Sequence, residues 1–223
     1  WQFIEKPNSR GPWSSEKMWH PQNPSQPAYI LPPITNLANG PSGLAYYPGT
    51  GLPDRYNGHF FLVDFRGSTA GSGVHTFAMK PKGASFELVN REDFIWRVLA
   101  TAVDTELNVG LYVSDWVEGW DMTGKGRIYR VFDPAAANRP IALQTKKLLA
   151  EGMEKCSLKE LVTLLAHRDQ RVRQEAQFAL VEKGDAAVKT LTGVARKNPN
   201  QLARLHAVNQ LRTGEGFPLN PAD

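Results

Sequence analysis

Short apolar segments alternate with turn residues between residues 43 and 133. The apolar segments are rich in aromatic and β-branched residues, and the turns between them contain Gly and Pro. Aromatic and β-branched side chains suit a half-buried pleated surface, whereas Gly and Pro end it. The pattern therefore predicts an all-β part with strands at residues 43–47, 59–66, 74–80, 85–90, 98–103, 110–116 and 127–133.

Two of these strands resemble each other. Residues 58–64 and 110–115 both begin at Gly, run through aromatic and β-branched residues, and reach an Asp that an aromatic residue follows. A second strand beginning at Gly follows each copy, at Gly73 and Gly126, so that the unit recurs after 52 to 53 residues. A strand-rich unit with a period of about 50 residues is typical of β-propeller blades. Two unrelated β-hairpins are the alternative interpretation.

The period becomes helical from Ile141 onward. Ser157 and Glu160 form a capping-box pattern, and Asp169, Asp185 and Asn200 stand where three further helices begin. The predicted inward-facing positions of these four helices are Leu158, Leu161, Val162 and Leu165; Val172, Ala176, Ala179 and Leu180; Val188, Leu191 and Val194; and Leu202, Leu205, Val208 and Leu211.

The helices also repeat. Residues 173–180 align with residues 204–211 at an offset of 31, and helix pairs recurring at this spacing are typical of an α-solenoid. Residues 164–173 resemble the HEAT repeat, in which an Asp caps the second helix and an Arg follows on it; Asp169 and Arg173 occupy those positions. About two helix pairs are present, so the last has no cap, which indicates a fragment of a longer protein.

The predicted organisation is a β part over residues 1–133, a linker at 134–140, HEAT-like helical repeats over 141–214 and a tail at 215–223. Residues 1–33 are rich in Pro and contain several aromatic residues. We expect them to form an ordered, irregular excursion whose aromatic side chains pack onto the scaffold; stacking on a sugar is the alternative.

Composition excludes several classes of protein. Hydrophobic residues make up 41% of the 223, and no apolar run is long enough to span a membrane. The net charge of +4 arises entirely after residue 139, where it is spread over some eighty residues, so no dense basic stripe for nucleic acid is expected. A single Cys excludes an internal disulfide within these residues, and the N-terminus carries no signal-peptide pattern.

Candidate chemistry lies at the ends of two strands. Asp64 and Asp115 each end an apolar segment, where a carboxylate either caps a turn or binds a ligand such as calcium. Arg66 follows closely, and its guanidinium either engages the carboxylate of a ligand or forms an ion pair with one of these two Asp residues. His59 and His75 are expected on adjacent strands in structural roles, since no histidine cluster has metal-ligand spacing.

Residues 39–53 and 56–61, and later 110–116 and 126–131, resemble the late blades of the glucose/sorbosone dehydrogenase type of β-propeller. Residues 80–89 and the join to HEAT-like helices are similar to large bacterial proteins described as membrane-bound dehydrogenases. This resemblance extends over nearly the whole chain. It implies the late blades of a β-propeller followed by a HEAT-like solenoid.

The resemblance also implies a function. The chain would be the C-terminal part of a quinone-dependent dehydrogenase of the periplasm or cell surface that oxidises a sugar or aldose. Pyrroloquinoline quinone and calcium would be its cofactors, with a c-type haem in a further module. Arg66 matches a quinone-contacting basic residue, but Thr50 and Gly51 stand where relatives have a Lys. The catalytic residues belong to earlier blades, so the alternative is a non-catalytic interaction or scaffold module.

About two blades cannot close a propeller. We therefore expect residues 1–133 to form a wedge that missing blades or a partner protein complete. In such a wedge Phe61, Val63, Tyr112 and Val113 would lie on exposed blade faces. Because the 134–140 linker is short, the helices are expected to pack against the last blade.

Overall fold

The computed structural model describes residues 23–25, 34–35, 37–106 and 110–213, without the side chains of Glu106, Arg212 and Thr213. The predicted aromatic-rich excursion and the tail at 215–223 fall almost wholly outside these residues. The described part consists of two open antiparallel sheets followed by six helices.

The first sheet has four strands in sequential order, and the second has three. The first comprises β1 (Pro41–Tyr46), β2 (His59–Asp64), β3 (Gly73–Lys82) and β4 (Ser85–Trp96), and the second comprises β5 (Ala100–Glu106), β6 (Gly110–Asp115) and β7 (Arg127–Val131). A strand forms at each of the predicted positions. Only β4 is much longer than predicted: Asn90 adopts a positive φ of 53° where the pairing with β3 shifts, so it forms a bulge instead of ending the strand.

The described residues form six helices, of which the last four begin where the caps predict. They are α1 (Pro134–Ala137), α2 (Pro140–Glu151), α3 (Leu158–Leu164), α4 (Gln170–Glu182), α5 (Asp185–Lys197) and α6 (Gln201–Thr213). The capping box of Ser157 and Glu160 is formed in both directions. The side chain of Asp169 accepts from the Arg171 amide, and that of Asn200 accepts from the Ala203 amide. The predicted linker contains the single turn of α1.

The two sheets pack against each other through β1, β2 and β5, and a shared apolar core lies between them. Phe61, Val63 and Val113 are fully buried in this core. The expectation that they lie on exposed faces is therefore wrong, because each sheet covers the other. The Phe61 ring lies edge-on to Phe94, with 4.8 Å between centroids. Tyr112 remains exposed, as expected.

The helices form a second core of their own. Leu161, Leu165, Val172, Ala176, Leu180 and Leu191 are among its buried members. On α6, however, the buried positions are Ala203, Ala207 and Gln210, while Leu202, Leu205 and Val208 are exposed. Their predicted inward orientation is wrong, because small residues on the opposite face let α6 approach its neighbours closely.

The start of α4 attaches the helices to the sheets. The Gln170 amide donates to the Pro48 carbonyl at 2.8 Å, and the Thr50 hydroxyl donates to the fully buried carboxylate of Asp169. Arg171 also pairs with Asp169, at 2.9 Å. Burial opposes ionisation of Asp169, but the bonds from Arg171 and Thr50 outweigh it and lower its pKa. A helix-capping carboxylate thus also fixes the docking of the two parts.

Arg168 strengthens this junction. Its Nε donates to the Gly49 carbonyl at 2.9 Å, and its Nη2 pairs with Asp54 at 2.5 Å. Arg139 pairs with the same carboxylate at 2.7 Å. The helices thus contact the β part, as expected from the short linker, but these contacts run to the loop between β1 and β2, whereas the sequence predicted packing against the last blade. The helices are therefore attached to the first sheet.

Candidate functional site

The two related strands end side by side. β2 ends at Asp64 and β6 at Asp115, and the aromatic residues that follow, Phe65 and Trp116, lie 6.1 Å apart between ring centroids. We call Asp64–Arg66 the first strand end and Asp115–Val117 the second strand end. Matching positions of the two similar segments therefore meet at one end of the β part.

Asp64, in the first strand end, is fully buried and saturated with hydrogen bonds. Its Oδ1 accepts from the amides of Asn39 at 3.1 Å and Gly40 at 2.8 Å, and its Oδ2 accepts from Arg66 Nε at 2.8 Å and Nη2 at 2.6 Å. His75 Nε2 lies 3.3 Å from Oδ2. Burial opposes ionisation, but the bonds from Arg66, Gly40 and His75 outweigh it and lower the pKa of Asp64. Asp64 is thus a buried, ionised structural residue.

His75 links two carboxylates. Its Nδ1 lies 2.7 Å from Asp93 Oδ1, and its other ring nitrogen faces Asp64. His59, on the adjacent strand as predicted, lies 3.1 Å from the Thr76 hydroxyl. The structural roles expected of both histidines are consistent with these contacts.

Arg66, the predicted quinone contact, makes the ion pair that was its alternative interpretation. Its guanidinium pairs with Asp64 and lies 5.6 Å from the centroid of the Trp96 ring. Its backbone amide donates to the Ser72 hydroxyl at 2.9 Å. The bond to Asp64 raises the pKa of Arg66, and 37% of the side chain stays exposed. Contact with a cofactor through that exposed part stays a prediction.

Asp115 in the second strand end has fewer and longer contacts. Its Oδ1 accepts from the Val117 amide at 3.0 Å, which is the predicted turn-capping role. Its Oδ2 lies 3.3 Å from the Tyr129 hydroxyl and 3.9 Å from Arg127 Nη1. The carboxylate of Asp115 is thus only loosely paired, whereas that of Asp64 is saturated with hydrogen bonds.

A cleft of about 560 Å³ opens beside Asp115. Its walls combine an aromatic ring, an apolar side chain, two hydroxyls and opposite charges: Thr101, Ser114, Asp115, Trp116, Gly126, Arg127 and Ile128. The hydroxyls of Thr101 and Ser114 lie 2.8 Å apart. A hydrogen bond from Arg127 to Tyr129 raises the pKa of the guanidinium, which is largely exposed. The cleft therefore offers donors and acceptors beside an apolar wall.

Trp116, which lines this cleft, and Trp120, which packs against Trp116, form what we call the tryptophan shelf. Their ring centroids lie 4.9 Å apart with 64° between planes, and the Trp120 indole N–H donates to the Gly67 carbonyl at 2.8 Å. Trp120 is nevertheless 65% exposed. Gly119 is required for this arrangement, because a Cβ there would lie 2.0 Å from the Trp116 ring.

The loop that holds the shelf is strained. Val117, Glu118 and Met122 adopt positive φ angles of 39°, 51° and 50°. Such angles are uncommon for residues other than Gly, and for a β-branched residue such as Val117 they are an outlier that functional sites often contain. The loop thus accepts strain while it holds Trp116 and Trp120 toward solvent.

Sequence reasoning identified Asp115 but missed most of the cleft. Trp116, Ser114 and Arg127 were not singled out, although a signal existed: two Trp residues separated by four positions, with Gly119 between them, in a turn after a strand. The remaining wall comes from other strands, and no local pattern marks it.

The described residues do not by themselves fit the cofactors that the resemblance implies. Among residues 37–106 and 110–213, no group of three or more His, Cys, Asp or Glu side chains could hold a metal ion. An anionic quinone needs several cationic or donor contacts, and Arg66 already pairs with Asp64.

Within the described ranges, no helix has both the length and the apolar character needed to cross a membrane. Comparison of the chain with protein-family models, curated proteins and solved structures finds no match.

Proposed function

We propose that this chain is a non-catalytic binding module that holds a saccharide in the cleft beside Trp116. The observation that carries the proposal is the tryptophan shelf: two exposed rings fixed edge to face next to paired hydroxyls, a carboxylate and a guanidinium. Ligand sites commonly combine an apolar wall with a few placed polar groups.

A sugar ring matches this combination. One face of a pyranose presents C–H groups, which suit the electron-rich face of Trp116. Its hydroxyls are both donors and acceptors, so they can pair with Ser114, Asp115 and Arg127 at the same time. Asp115 has acceptor capacity left, since its contacts to Tyr129 and Arg127 are long. A purely apolar ligand would leave these polar groups unpaired.

Titration of the protein with monosaccharides and oligosaccharides, followed by intrinsic tryptophan fluorescence, tests the proposal. Trp116→Ala should weaken binding about 30-fold, which corresponds to about 2 kcal/mol for loss of an aromatic anchor. Phe86→Ala is the matched control, because Phe86 is an exposed aromatic residue on the β3–β4 hairpin. Saturable binding that Trp116→Ala leaves intact, or no binding by any saccharide, would contradict the proposal.

A second function applies to a longer protein. There the chain would be the C-terminal propeller and HEAT-like part of a quinone-dependent sugar dehydrogenase in the periplasm or at the cell surface. The sequential four-stranded first sheet has the arrangement of a propeller blade, and the exposed part of Arg66 remains accessible at its end. These two observations support this candidate.

The test is dye reduction with aldoses, after pyrroloquinoline quinone and calcium are added to a protein that includes the upstream blades. Turnover by that protein, together with no turnover by the 223 residues alone, is the expected result. Failure of the longer protein to reduce the dye would remove this candidate. It would leave saccharide binding by the cleft untouched, because that is measured separately.

A further inference from the structure

Helices α4 and α6 are built alike, beyond their similarity in sequence. In α4, Arg173 Nη1 donates to the carbonyls of residues 167 and 168 at 2.7 and 2.8 Å. In α6, Arg204 Nη1 donates to the carbonyls of residues 198 and 199 at 2.7 and 3.2 Å. In each helix an Arg therefore folds back onto the preceding loop, and the two Arg residues are 31 positions apart. The two helices are equivalent members of successive pairs.

The structure also shows how α4 receives the next pair. Gln177 Oε1 lies 2.8 Å from His206 Nδ1, and Arg173 Nε lies 3.4 Å from the other ring nitrogen. Ala203 and Ala207 are fully buried, so α6 approaches closely. Burial lowers the pKa of His206, and nearby Arg173 lowers it further, which favours a neutral ring at this junction. α4 thus presents positions 173 and 177 to its neighbour.

A shift of 31 residues carries this face onto α6. Arg173 corresponds to Arg204, and Gln177 corresponds to Val208. Val208 and its neighbours Leu202 and Leu205 are 52%, 43% and 56% exposed. We call these three residues the α6 outer face. A contiguous exposed apolar patch can mark a contact surface.

We propose that the α6 outer face seats a further helix pair of the same kind, in the way that α4 seats α6. The occupant differs from the existing pair in one respect. Where the α4–α6 contact is polar, at Gln177 and His206, the new contact has Val208, so the incoming helix must carry an apolar residue in place of His206.

A second copy of the whole chain is a poorer occupant. A stable interface between separate chains buries about 1,200 Å² or more, which three side chains on one helix do not supply. A linked helix pair needs less contact area, because the linker keeps its local concentration high.

The test adds such a pair to the protein. A second copy of residues 183–213, which is one 31-residue repeat with its leading turn and carries His206→Leu, is fused after Thr213 of the chain, and unfolding is followed by circular dichroism. Successive repeats stabilise each other through their shared contact. The fused protein should therefore unfold in one transition, with Tm at least about 3 °C above that of the unfused chain.

Paired variants identify the surface responsible. Leu205→Glu with Val208→Glu in the original copy should abolish the increase in Tm but leave the unfused chain unchanged, since both side chains are exposed there. Phe178→Glu with Val181→Glu is the matched control, because these α4 residues are 46% and 45% exposed. The control pair should preserve the increase.

Two results would overturn the proposal. In the first, the added pair would unfold in a separate transition and leave the original Tm unchanged. In the second, the unfused chain would sediment as a dimer that Leu205→Glu dissociates, which would assign the face to a second copy.

Discussion

Asp64 and Asp115 end equivalent strands, yet one is sealed and the other lines a cleft. Asp64 accepts hydrogen bonds from two backbone amides and from Nε and Nη2 of Arg66. Asp115 accepts one amide, and its nearest guanidinium nitrogen, on Arg127, lies 3.9 Å away. The residue two positions after each Asp accounts for much of the difference.

That residue is Arg66 in the first strand end and Val117 in the second. Arg66 folds back and saturates the carboxylate beside it. Val117 cannot do so; it takes a left-handed conformation that directs the chain into the tryptophan shelf. A repeated motif can therefore hold a structural ion pair in one copy and form part of a candidate ligand site in the other.

The largest effect is expected from Asp64→Asn. It removes the charge that Arg66 and His75 surround, and loss of one member of a buried ion pair typically costs about 3–5 kcal/mol. Because Arg66 is partly exposed, we expect the lower end of that range, about 3 kcal/mol. Urea unfolding measures this loss.

Asp115→Asn is its control. An Asn oxygen can still accept from the Val117 amide, so the loss of stability should stay below about 1 kcal/mol. Equal losses in the two variants would show that the two strand ends do not differ as described.

The next largest effect is expected from acid, which should destabilise the first strand end. The pKa of Asp64 is lowered in the folded protein from its ordinary value of 3.8. The unfolded chain therefore binds more protons in this range, and the contribution of Asp64 is fully present above pH 3.8 and is lost as the pH falls through the folded pKa. Below about pH 4, wild-type stability should fall more steeply than that of Asp64→Asn. Parallel pH profiles would contradict the assignment.

Gly119→Ala should disturb the second strand end alone. The new Cβ would overlap the Trp116 ring, so the ring must move and the shelf opens. We expect a loss of about 1–3 kcal/mol of stability, typical of overpacking, together with weaker saccharide binding. Gly83→Ala is a control for replacing a Gly, since a Cβ there meets nothing within 4 Å although the turn is also strained. Unchanged binding in Gly119→Ala would argue against the shelf.

The smallest effect is expected from Val117→Gly. Gly adopts positive φ at no steric cost, so the substitution relieves strain of about 1 kcal/mol. The greater freedom of Gly in the unfolded chain offsets part of this gain. Stability should therefore stay within about 0.5 kcal/mol of wild type, while a looser loop lowers saccharide affinity. A clear loss of stability would show that the loop is unstrained.

Local features of this chain could be predicted from sequence. The seven strands follow from alternation and turn residues, and the helix starts at Ser157, Asp169 and Asn200 follow from caps, because both signals lie within a few residues. The continuation of β4 beyond Asn90 could not, since a bulge and a turn use the same residue types.

Features that join distant residues were missed. The burial of Phe61 depends on the second sheet, and the outward face of α6 depends on which side the helices already fill. Thr50 meets Asp169 across 119 residues of sequence, and the cleft combines Thr101, Ser114 and Arg127 from three strands. No periodicity within one segment carries that information.

The most direct test of the central claim follows the indole N–H signals of the six Trp residues by ¹⁵N NMR during saccharide titration. Trp→Phe variants assign the peaks of Trp96, Trp116 and Trp120. The account predicts saturable shifts of the Trp116 and Trp120 signals. It predicts no shift of the Trp96 signal, since Trp96 lies beside Arg66 of the first strand end. Shifts confined to Trp96, or no shift of the shelf signals with any saccharide, would contradict it.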